Sequence, residues 1–160
     1  MPRVSALEYA VKLLGYRART EKELRERLSE KQYPAETIAE AVLKLKRINL
    51  INDENFAVNY VRDKLSLSRR GPRRIYFELI KHGINRELAD RATKTINNEE
   101  ELETAQILLE SKIRQWSKLD PLAKKRRAVG LLARRGFSGS VIRKSLERSN
   151  LNHHIHGWEV

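Results

Sequence analysis

The chain has 160 residues, of which 33 are lysine or arginine and 21 are aspartate or glutamate, so its formal net charge is +12. It contains no cysteine, which excludes disulfides, thiol nucleophiles and thiolate metal sites and is typical of a reducing compartment. We find no apolar run of about 18 residues and no apolar stretch at the N-terminus, so we expect neither a transmembrane span nor a signal peptide. These features predict a basic cytoplasmic protein.

The first part of the chain predicts three helices, because apolar residues recur there at spacings of three, four and seven. An apolar stripe predicts a helix over about residues 4 to 16. Thr20 and Glu23 have the spacing of a capping box and open a second helix, and a third begins near Pro34. The inward positions of the three helices are Leu7, Ala10, Val11, Leu14, Leu24, Leu28, Ile38, Val42 and Leu45.

The rest of the chain predicts six more helices by the same pattern of caps and apolar stripes. Asp53 is predicted to cap the fourth helix, Gly71 and Pro72 to start the fifth, and Asn85 to cap the sixth. The starts of the seventh, eighth and ninth helices are assigned to Asn98, to Asp120 with Pro121, and to Ser138. Glycine and proline are scarce and no strand pattern occurs, so the predicted fold class is all-α.

The nine predicted helices form three similar groups, which indicates an internal repeat. The pairs Tyr9-Ala10, Phe56-Ala57 and Thr104-Ala105 fall at equivalent places in the first helices. Each second helix ends in a stop followed by one apolar residue, at Gln32-Tyr33, Gly83-Ile84 and Gly136-Phe137. We therefore predict three tandem three-helix repeats over residues 1–50, 51–97 and 98–148, a tail over 149–160, and stacking of the repeats into an elongated, curved array.

Positive charge is concentrated in the second and third repeats. Residues 62–81 have a net charge of +5 and residues 112–148 a net charge of +10. Such clusters point to a polyanion or an acidic protein surface, although single lysines and arginines often only solvate exposed helix faces. The candidate partner- or DNA-binding residues are Arg62, Arg69, Arg70, Arg73, Arg74, Lys81, Lys124, Lys125, Arg126, Arg127, Arg134 and Arg135.

Residues suited to catalysis or metal binding are few. The acidic run at Glu99–Glu101 is placed to complement a helix N-terminus, and His82 is isolated. A cluster of His153, His154 and His156 could chelate a metal, but a loosely held tail is the simpler interpretation. No nucleotide-binding or nucleophile motif occurs. We therefore predict a protein that is not an enzyme, with no cofactor and no metal.

The aromatic residues lie mostly on apolar stripes, which predicts that they belong to the core. This group comprises Tyr9, Phe56, Tyr60, Phe77, Trp116 and Phe137. An alternative exists for Tyr76 and Phe77, because they follow Arg73 and Arg74 and could form a platform on which bases stack. Adjacent helix positions point about 100° apart, so one ring of this pair is expected to face outward.

The central segment resembles the signature of the RecX family, which regulates the RecA recombinase. The resemblance rests on Leu50-Ile51-Asn52-Asp53-Glu54-Asn55-Phe56-Ala57 followed by Lys81-His82-Gly83-Ile84, and it extends over about residues 6 to 147. The matching signature residues, expected to be mainly structural, are Asp53, Phe56, Ala57, Leu79, Gly83 and Ile84. Gln32 departs from the pattern, because the family usually has glycine there.

The resemblance implies a small all-helical protein of three three-helix repeats. It also implies binding to RecA filaments on single-stranded DNA and restraint of their ATPase, strand-exchange and coprotease activities, without chemistry on a substrate. Single-stranded DNA would be a secondary contact, and we expect a monomer that does not bind membranes. The alternative is a protein that binds nucleic acid directly through the basic faces of repeats 2 and 3.

Overall fold

The computed structural model describes residues 4–151, and over that range the protein is helical without any strand. These described residues form nine α-helices and one short 3-10 turn, Arg114–Trp116, which confirms the predicted all-α fold. The α-helices are α1 (Ala6–Tyr16), α2 (Glu21–Glu30), α3 (Ala35–Arg47), α4 (Asp53–Ser66), α5 (Pro72–Lys81), α6 (Arg86–Thr93), α7 (Asn98–Ile113), α8 (Pro121–Arg134) and α9 (Gly139–Arg148).

Helix starts follow the predicted capping chemistry at most positions. Thr20 accepts a hydrogen bond from the Glu23 N–H while the Glu23 carboxylate accepts one from the Thr20 N–H, which confirms the capping box. Asp120, Asn85 and Ser138 cap α8, α6 and α9 as predicted. These side chains satisfy amide groups that the first helical turn leaves without partners.

Two caps lie one residue earlier than predicted. Asn52, not Asp53, caps α4, with its side-chain oxygen 2.9 Å from the Asn55 nitrogen. Asn97, not Asn98, caps α7, and its side-chain oxygen accepts hydrogen bonds from the Glu99 and Glu100 N–H groups. In both places two residues that commonly form N-caps are adjacent, so residue type alone does not determine which of them occupies the N-cap position. Asp53 is thereby free to bond elsewhere.

All three second helices end in the same turn, as the sequence predicted. The second residue after the last helical one has a left-handed backbone, with φ of +62° at Gln32, +90° at Gly83 and +86° at Gly136. The next residue folds back, so the Ile84 N–H donates to the Leu79 carbonyl at 3.0 Å and the Phe137 N–H to the Leu132 carbonyl at 3.1 Å. The bonding pattern is that of a Schellman motif, which satisfies carbonyls at the helix end.

The described chain divides into two compact units. The first holds the residues up to Asn59 together with Leu79–Ala89, and the second holds Tyr60–Glu78 together with the residues from Asp90 onward. Helices α4, α5 and α6 contribute residues to both. The predicted repeat boundaries stay a prediction.

In the first unit α1, α2 and α3 pack on one another around an apolar core. That core consists of Ala6, Ala10, Leu24, Leu28, Ile38, Ala41, Val42, Leu45 and Ile51. Val11, predicted to face inward, is instead 45 % exposed. Ala10 and Leu14 already occupy the inward side, and Val11 is rotated by about 100° from Ala10.

In the second unit α7, α8 and α9 pack on one another. Their core consists of Leu102, Ala105, Leu108, Leu109, Ala128, Leu132, Phe137, Val141, Leu146 and Leu151. Leu151 falls within the predicted tail, yet it is only 8 % exposed and its N–H donates to the Leu146 carbonyl. The third helical group therefore packs onto a residue beyond its last helix.

The signature residues differ in burial. Ala57, Leu79 and Ile84 are buried, as predicted. Phe56 is only partly buried, and its ring centroid lies 5.6 Å from that of His82.

Removal of the Leu79 side chain should therefore be more harmful than removal of the Phe56 ring. Leu79→Ala leaves a cavity in a fully buried site and should lower the free energy of unfolding by about 2–5 kcal/mol. Phe56→Ala should cost less than the ~3–5 kcal/mol of a fully buried ring. Urea unfolding of both variants measures the difference, and the reverse order of effects would contradict this account of the burial.

Candidate binding interface

The predicted basic residues lie on α4, α5 and α8, in the loop between α4 and α5, and directly after α8. Arg62 is exposed on α4, with its Nε 3.5 Å from the Asp63 carboxylate. Lys81 is exposed at the end of α5, in the first unit. The remaining ten belong to the second unit and are Arg69, Arg70, Arg73, Arg74, Lys124, Lys125, Arg126, Arg127, Arg134 and Arg135.

Within the second unit, the start of α5 is bonded to the end of α8. The Gly71 N–H donates to the Arg135 carbonyl at 2.7 Å, and the Arg73 N–H donates to the Gly136 carbonyl at 3.2 Å. Amides that the first turn of α5 leaves without partners thus bond to carbonyls at the end of α8. We call this contact the α5–α8 junction.

Two glycines allow the backbones of the α5–α8 junction to approach closely. A Cβ atom on Gly71 would overlap the backbone of Gly136, and one on Gly136 would overlap the backbone of Arg74. Gly136 is also in the left-handed conformation, with φ of +86°. Glycine is therefore required at both positions for a steric reason.

Two arginine side chains reinforce the α5–α8 junction. Arg74 donates from Nη1 to the Arg134 carbonyl at 3.1 Å, and Arg135 donates from Nη1 to the Ser68 carbonyl at 2.6 Å. A cation beside the last carbonyls of a helix is also favoured by the helix dipole. These two guanidinium groups hold the loop and α5 in place on α8.

A third arginine, Arg70, is held by the carboxylate of Glu78. Arg70 Nη1 lies 2.7 Å from Glu78 Oε2, Arg74 Nε lies 3.0 Å from Glu78 Oε1, and the Tyr60 hydroxyl donates to Glu78 Oε2 at 3.1 Å. Burial favours a raised pKa for Glu78, but the hydrogen bonds from Arg74, Arg70 and Tyr60 outweigh it and lower this pKa.

Seven of the twelve candidate basic residues fall into two groups. Arg70, Arg74 and Arg135 bond to other parts of the protein within the second unit. Arg73, Arg126, Arg127 and Arg134 are exposed, and none forms an ion pair with an acidic side chain among residues 4–151. The exposed group is available to an anionic partner.

The first unit contains a related contact between the start of α2 and the end of α5. The Thr20 hydroxyl donates to the His82 carbonyl at 2.5 Å, and His82 Nδ1 lies 2.9 Å from Glu23 Oε1. A Cβ atom on Gly83 would overlap the Lys22 side chain. We call this contact the α2–α5 junction. It places the signature residue Gly83 where only glycine fits.

Asp53, another signature residue, also bonds to the start of α2. Its Oδ1 accepts the Glu21 N–H at 2.9 Å. Burial, the largest influence, raises the pKa of Asp53, even though the Glu21 N–H favours the charged form. Asp53 is therefore a structural acceptor for the α2 N-terminus and not the cap of its own helix, a role that a local motif does not reveal.

The paired aromatic residues of α5 differ in exposure. Phe77 is 58 % exposed, so its predicted place in the core is wrong, whereas Tyr76 is partly buried. The two rings lie edge to face, with centroids 5.4 Å apart and an interplanar angle of 79°. Phe137, predicted for the core in the same way, is buried.

Comparison with known proteins decides the family. The models of the first, second and third three-helix domains of RecX match residues 6–45, 52–92 and 99–146. The chain belongs to the RecX family. This result confirms the resemblance derived from the signature segment.

Two relatives illustrate the match. A protein named Regulatory protein RecX from Bacillus cytotoxicus is 33% identical over 138 residues, covering 86% of this chain and 51% of the relative. A second protein of that name, from Finegoldia magna, is 30% identical over 141 residues, covering 87% of this chain and 69% of the relative. The chain thus spans about half the length of the Bacillus RecX protein.

Solved RecX structures have the same fold. The crystal structure of RecX from Lactobacillus salivarius superposes with a TM-score of 0.81 at 29% identity, covering 91% of this chain and 95% of the other. A further crystal structure of regulatory protein RecX also gives a TM-score of 0.81, at 27% identity, covering 89% of this chain and 71% of the other.

Neither a metal-ligand cluster nor a membrane-spanning helix occurs within the described residues. Residues 4–151 bring together no group of three or more histidine, aspartate or glutamate side chains that could hold a metal ion. The histidines at 153, 154 and 156, for which the sequence allows a metal chelate as one interpretation, lie outside the described residues. Each helix in the described range is too short or too polar to cross a bilayer.

The glycine at the start of α5 gives a test of the α5–α8 junction. Gly71→Ala forces two backbones apart and should lower the free energy of unfolding by about 1–3 kcal/mol or more. The matched control is Gly15→Ala in α1, which has no neighbouring atom within 4 Å and should raise stability by about 0.5–1 kcal/mol. Urea unfolding compares the two. Equal stability of Gly71→Ala and the parent would mean that the junction does not hold α5.

The Glu78 network should make stability depend on pH. The folded pKa of Glu78 is lower than its usual value of 4.5, so unfolded chains bind its proton at a higher pH than folded chains do. The stabilisation of the folded state by the Glu78 carboxylate is therefore complete above about pH 4.5. It is lost as the pH falls through the pKa that Glu78 has in the folded state.

Glu78→Gln tests this dependence. The substitution should cost about 1–3 kcal/mol at pH 7, because charged hydrogen bonds to two arginines are weakened, and progressively less as the pH falls below 4. The control Glu103→Gln removes the same charge from an exposed side chain of α7. Urea midpoints measured from pH 3 to pH 7 give both differences, and a constant deficit for Glu78→Gln would contradict the lowered pKa.

Proposed function

We propose that this RecX-family protein binds RecA filaments on single-stranded DNA and restrains their ATPase, strand-exchange and coprotease activities. The main support is that all three RecX three-helix domains match the chain in order. The relatives are named regulatory proteins, which agrees with a role in controlling another protein. The proposal includes action without a cofactor or catalysis, in the cytoplasm and as a monomer.

Several helical domains in one chain suit a helical polymer as the target. Separate contacts made by one chain act at a high effective concentration once the first has formed. A protein that binds one state of the filament more tightly than another shifts the filament toward that state. Regulation then requires only differential binding.

The exposed arginines supply the expected contact surface. Arg73, Arg126 and Arg127 project cationic groups from α5 and α8 that no acidic side chain among residues 4–151 neutralises. A RecA filament on DNA offers acidic protein groups and phosphates, and both attract guanidinium groups. Arg70, Arg74 and Arg135 instead serve the fold, so we assign them no direct contact.

The function is tested by the DNA-dependent ATP hydrolysis of RecA. Increasing amounts of the protein are added to RecA on single-stranded DNA, and hydrolysis should fall as filaments are occupied. Inhibition at far less than one molecule per RecA would indicate capping or disassembly of filaments. Unchanged hydrolysis at every ratio, with a protein shown to be folded, would refute the proposal.

The exposed arginines are tested by charge reversal. The triple variant Arg73→Glu, Arg126→Glu, Arg127→Glu should inhibit RecA at least tenfold less well, because attraction becomes repulsion. The control triple variant Lys12→Glu, Lys44→Glu, Arg86→Glu makes the same change in net charge at exposed positions of the first unit and should inhibit nearly as the parent does. Equal inhibition by the first variant and the parent would place the binding surface elsewhere.

Direct binding to nucleic acid is a second candidate function. It is favoured by the net charge of +10 over residues 112–148 together with the exposed arginines of α8. Affinity for bare single-stranded DNA should then fall with salt, with a logarithmic slope of about 0.7 for each phosphate contacted. The same charge-reversal variant should reduce that slope. A parent affinity that does not depend on salt would exclude this candidate.

A further inference from the structure

Phe77 exposes a large apolar ring to solvent on a helix of the second unit. Its exposed fraction is 58 %, and the partly buried ring of Tyr76 packs against it at 79°. Such edge-to-face contacts stabilise a defined ring orientation. Phe77 thus offers a supported π-surface to a ligand.

The surroundings of Phe77 form a shallow cleft whose apolar lining comes from aromatic rings and a proline instead of aliphatic side chains. The cleft has a volume of about 300 Å³ and is lined by Pro72, Arg73, Tyr76, Phe77, Asp90 and Thr93. It contains no leucine, isoleucine, valine or methionine, the side chains that line grooves for amphipathic helices. A flat aromatic ligand suits this lining better than an aliphatic one.

The charges beside Phe77 favour a ligand that carries anionic groups. Arg73 lies one helical turn before Phe77 on the same face of α5, and it is exposed. The opposing charge of Asp90 is compensated by Lys94, whose Nζ lies 2.6 Å from the Asp90 carboxylate. The side-chain cation of Arg73 is therefore the main charge on this side of the cleft.

The N-terminus of α5 does not provide a second anion site. The Gly71 and Arg73 amides donate to carbonyls at the end of α8, so they are already bonded. An anion near the cleft would consequently be bound by the Arg73 guanidinium. A ligand that combines a flat ring with a nearby phosphate, as a nucleotide in a single strand does, matches both groups.

We propose that Phe77, supported by Tyr76, stacks on an unpaired base of single-stranded DNA, while Arg73 pairs with a neighbouring phosphate. Stacking on one aromatic ring tolerates any base, because every base has a π-face. The site would thus bind single strands without sequence preference. It adds a base contact to the phosphate contacts of the second candidate function and does not require RecA.

The experiment compares two oligonucleotides of equal length, oligothymidine and an abasic strand with the same number of phosphates. The parent should bind oligothymidine about 5- to 150-fold more tightly, which is the range expected for loss of one stacked base. Phe77→Leu keeps an apolar side chain but removes the π-face, so this preference should disappear. Phe77→Trp should retain it, and the salt dependence should be the same in all three proteins.

Leu122→Ala provides the matched control, because Leu122 is 56 % exposed in the same unit. It should keep the parent's preference for oligothymidine, and urea unfolding should show all variants to be folded. An equal affinity of the parent for both strands, or an unchanged preference in Phe77→Leu, would overturn the proposal.

A parallel measurement of RecA ATPase inhibition separates this site from the proposed function. If the Phe77→Leu variant loses inhibition of RecA but keeps the preference for oligothymidine, Phe77 contacts a protein. That outcome would overturn the base-stacking proposal and leave the proposed regulation of RecA in place. Loss of the preference in Phe77→Leu, with or without a change in inhibition, supports stacking.

Discussion

The main constraint on this protein is that the first turn of one helix bonds to the end of another. At the α5–α8 junction the amides of Gly71 and Arg73 meet carbonyls that the end of α8 leaves without helical partners. Both ends lack partners of their own, and their dipoles attract each other in this orientation. A single contact therefore supplies hydrogen-bond partners to the amides at the start of α5 and to the carbonyls at the end of α8. The α2–α5 junction in the first unit achieves a similar result through the Thr20 hydroxyl.

The same constraint separates arginines that hold the fold from arginines that face solvent. Close backbone contact brings Arg74 and Arg135 to carbonyls across the α5–α8 junction, and Glu78 binds Arg70 beside them. Residues that look alike as a basic cluster thus have different roles. The remaining exposed cations, such as Arg73 and Arg127, leave a positive surface that intramolecular pairing does not cancel.

Most of the fold could be predicted from the sequence because capping residues and apolar spacing act locally. The Thr20 capping box and the stop at Gly136 both follow from such local patterns. The role of Asp53 could not be predicted, since its hydrogen bond goes to Glu21, which is distant in sequence. The exposure of Phe77 cannot be predicted for a related reason: helical spacing identifies an apolar stripe but not which of two adjacent rings the tertiary structure leaves in water.

Gln32 limits where a further repeat could be added to the chain, because the equivalent positions in the other repeats hold glycine. Gly83 and Gly136 end their helices against the start of a helix that lies earlier in the chain, where a Cβ atom would overlap Lys22 or Arg74. Gln32 ends α2 with the same left-handed backbone, but its side chain is exposed. A glutamine there blocks any further helix from bonding to the end of α2 as α5 bonds to α8. Engineering an additional repeat onto that end would first require Gln32→Gly.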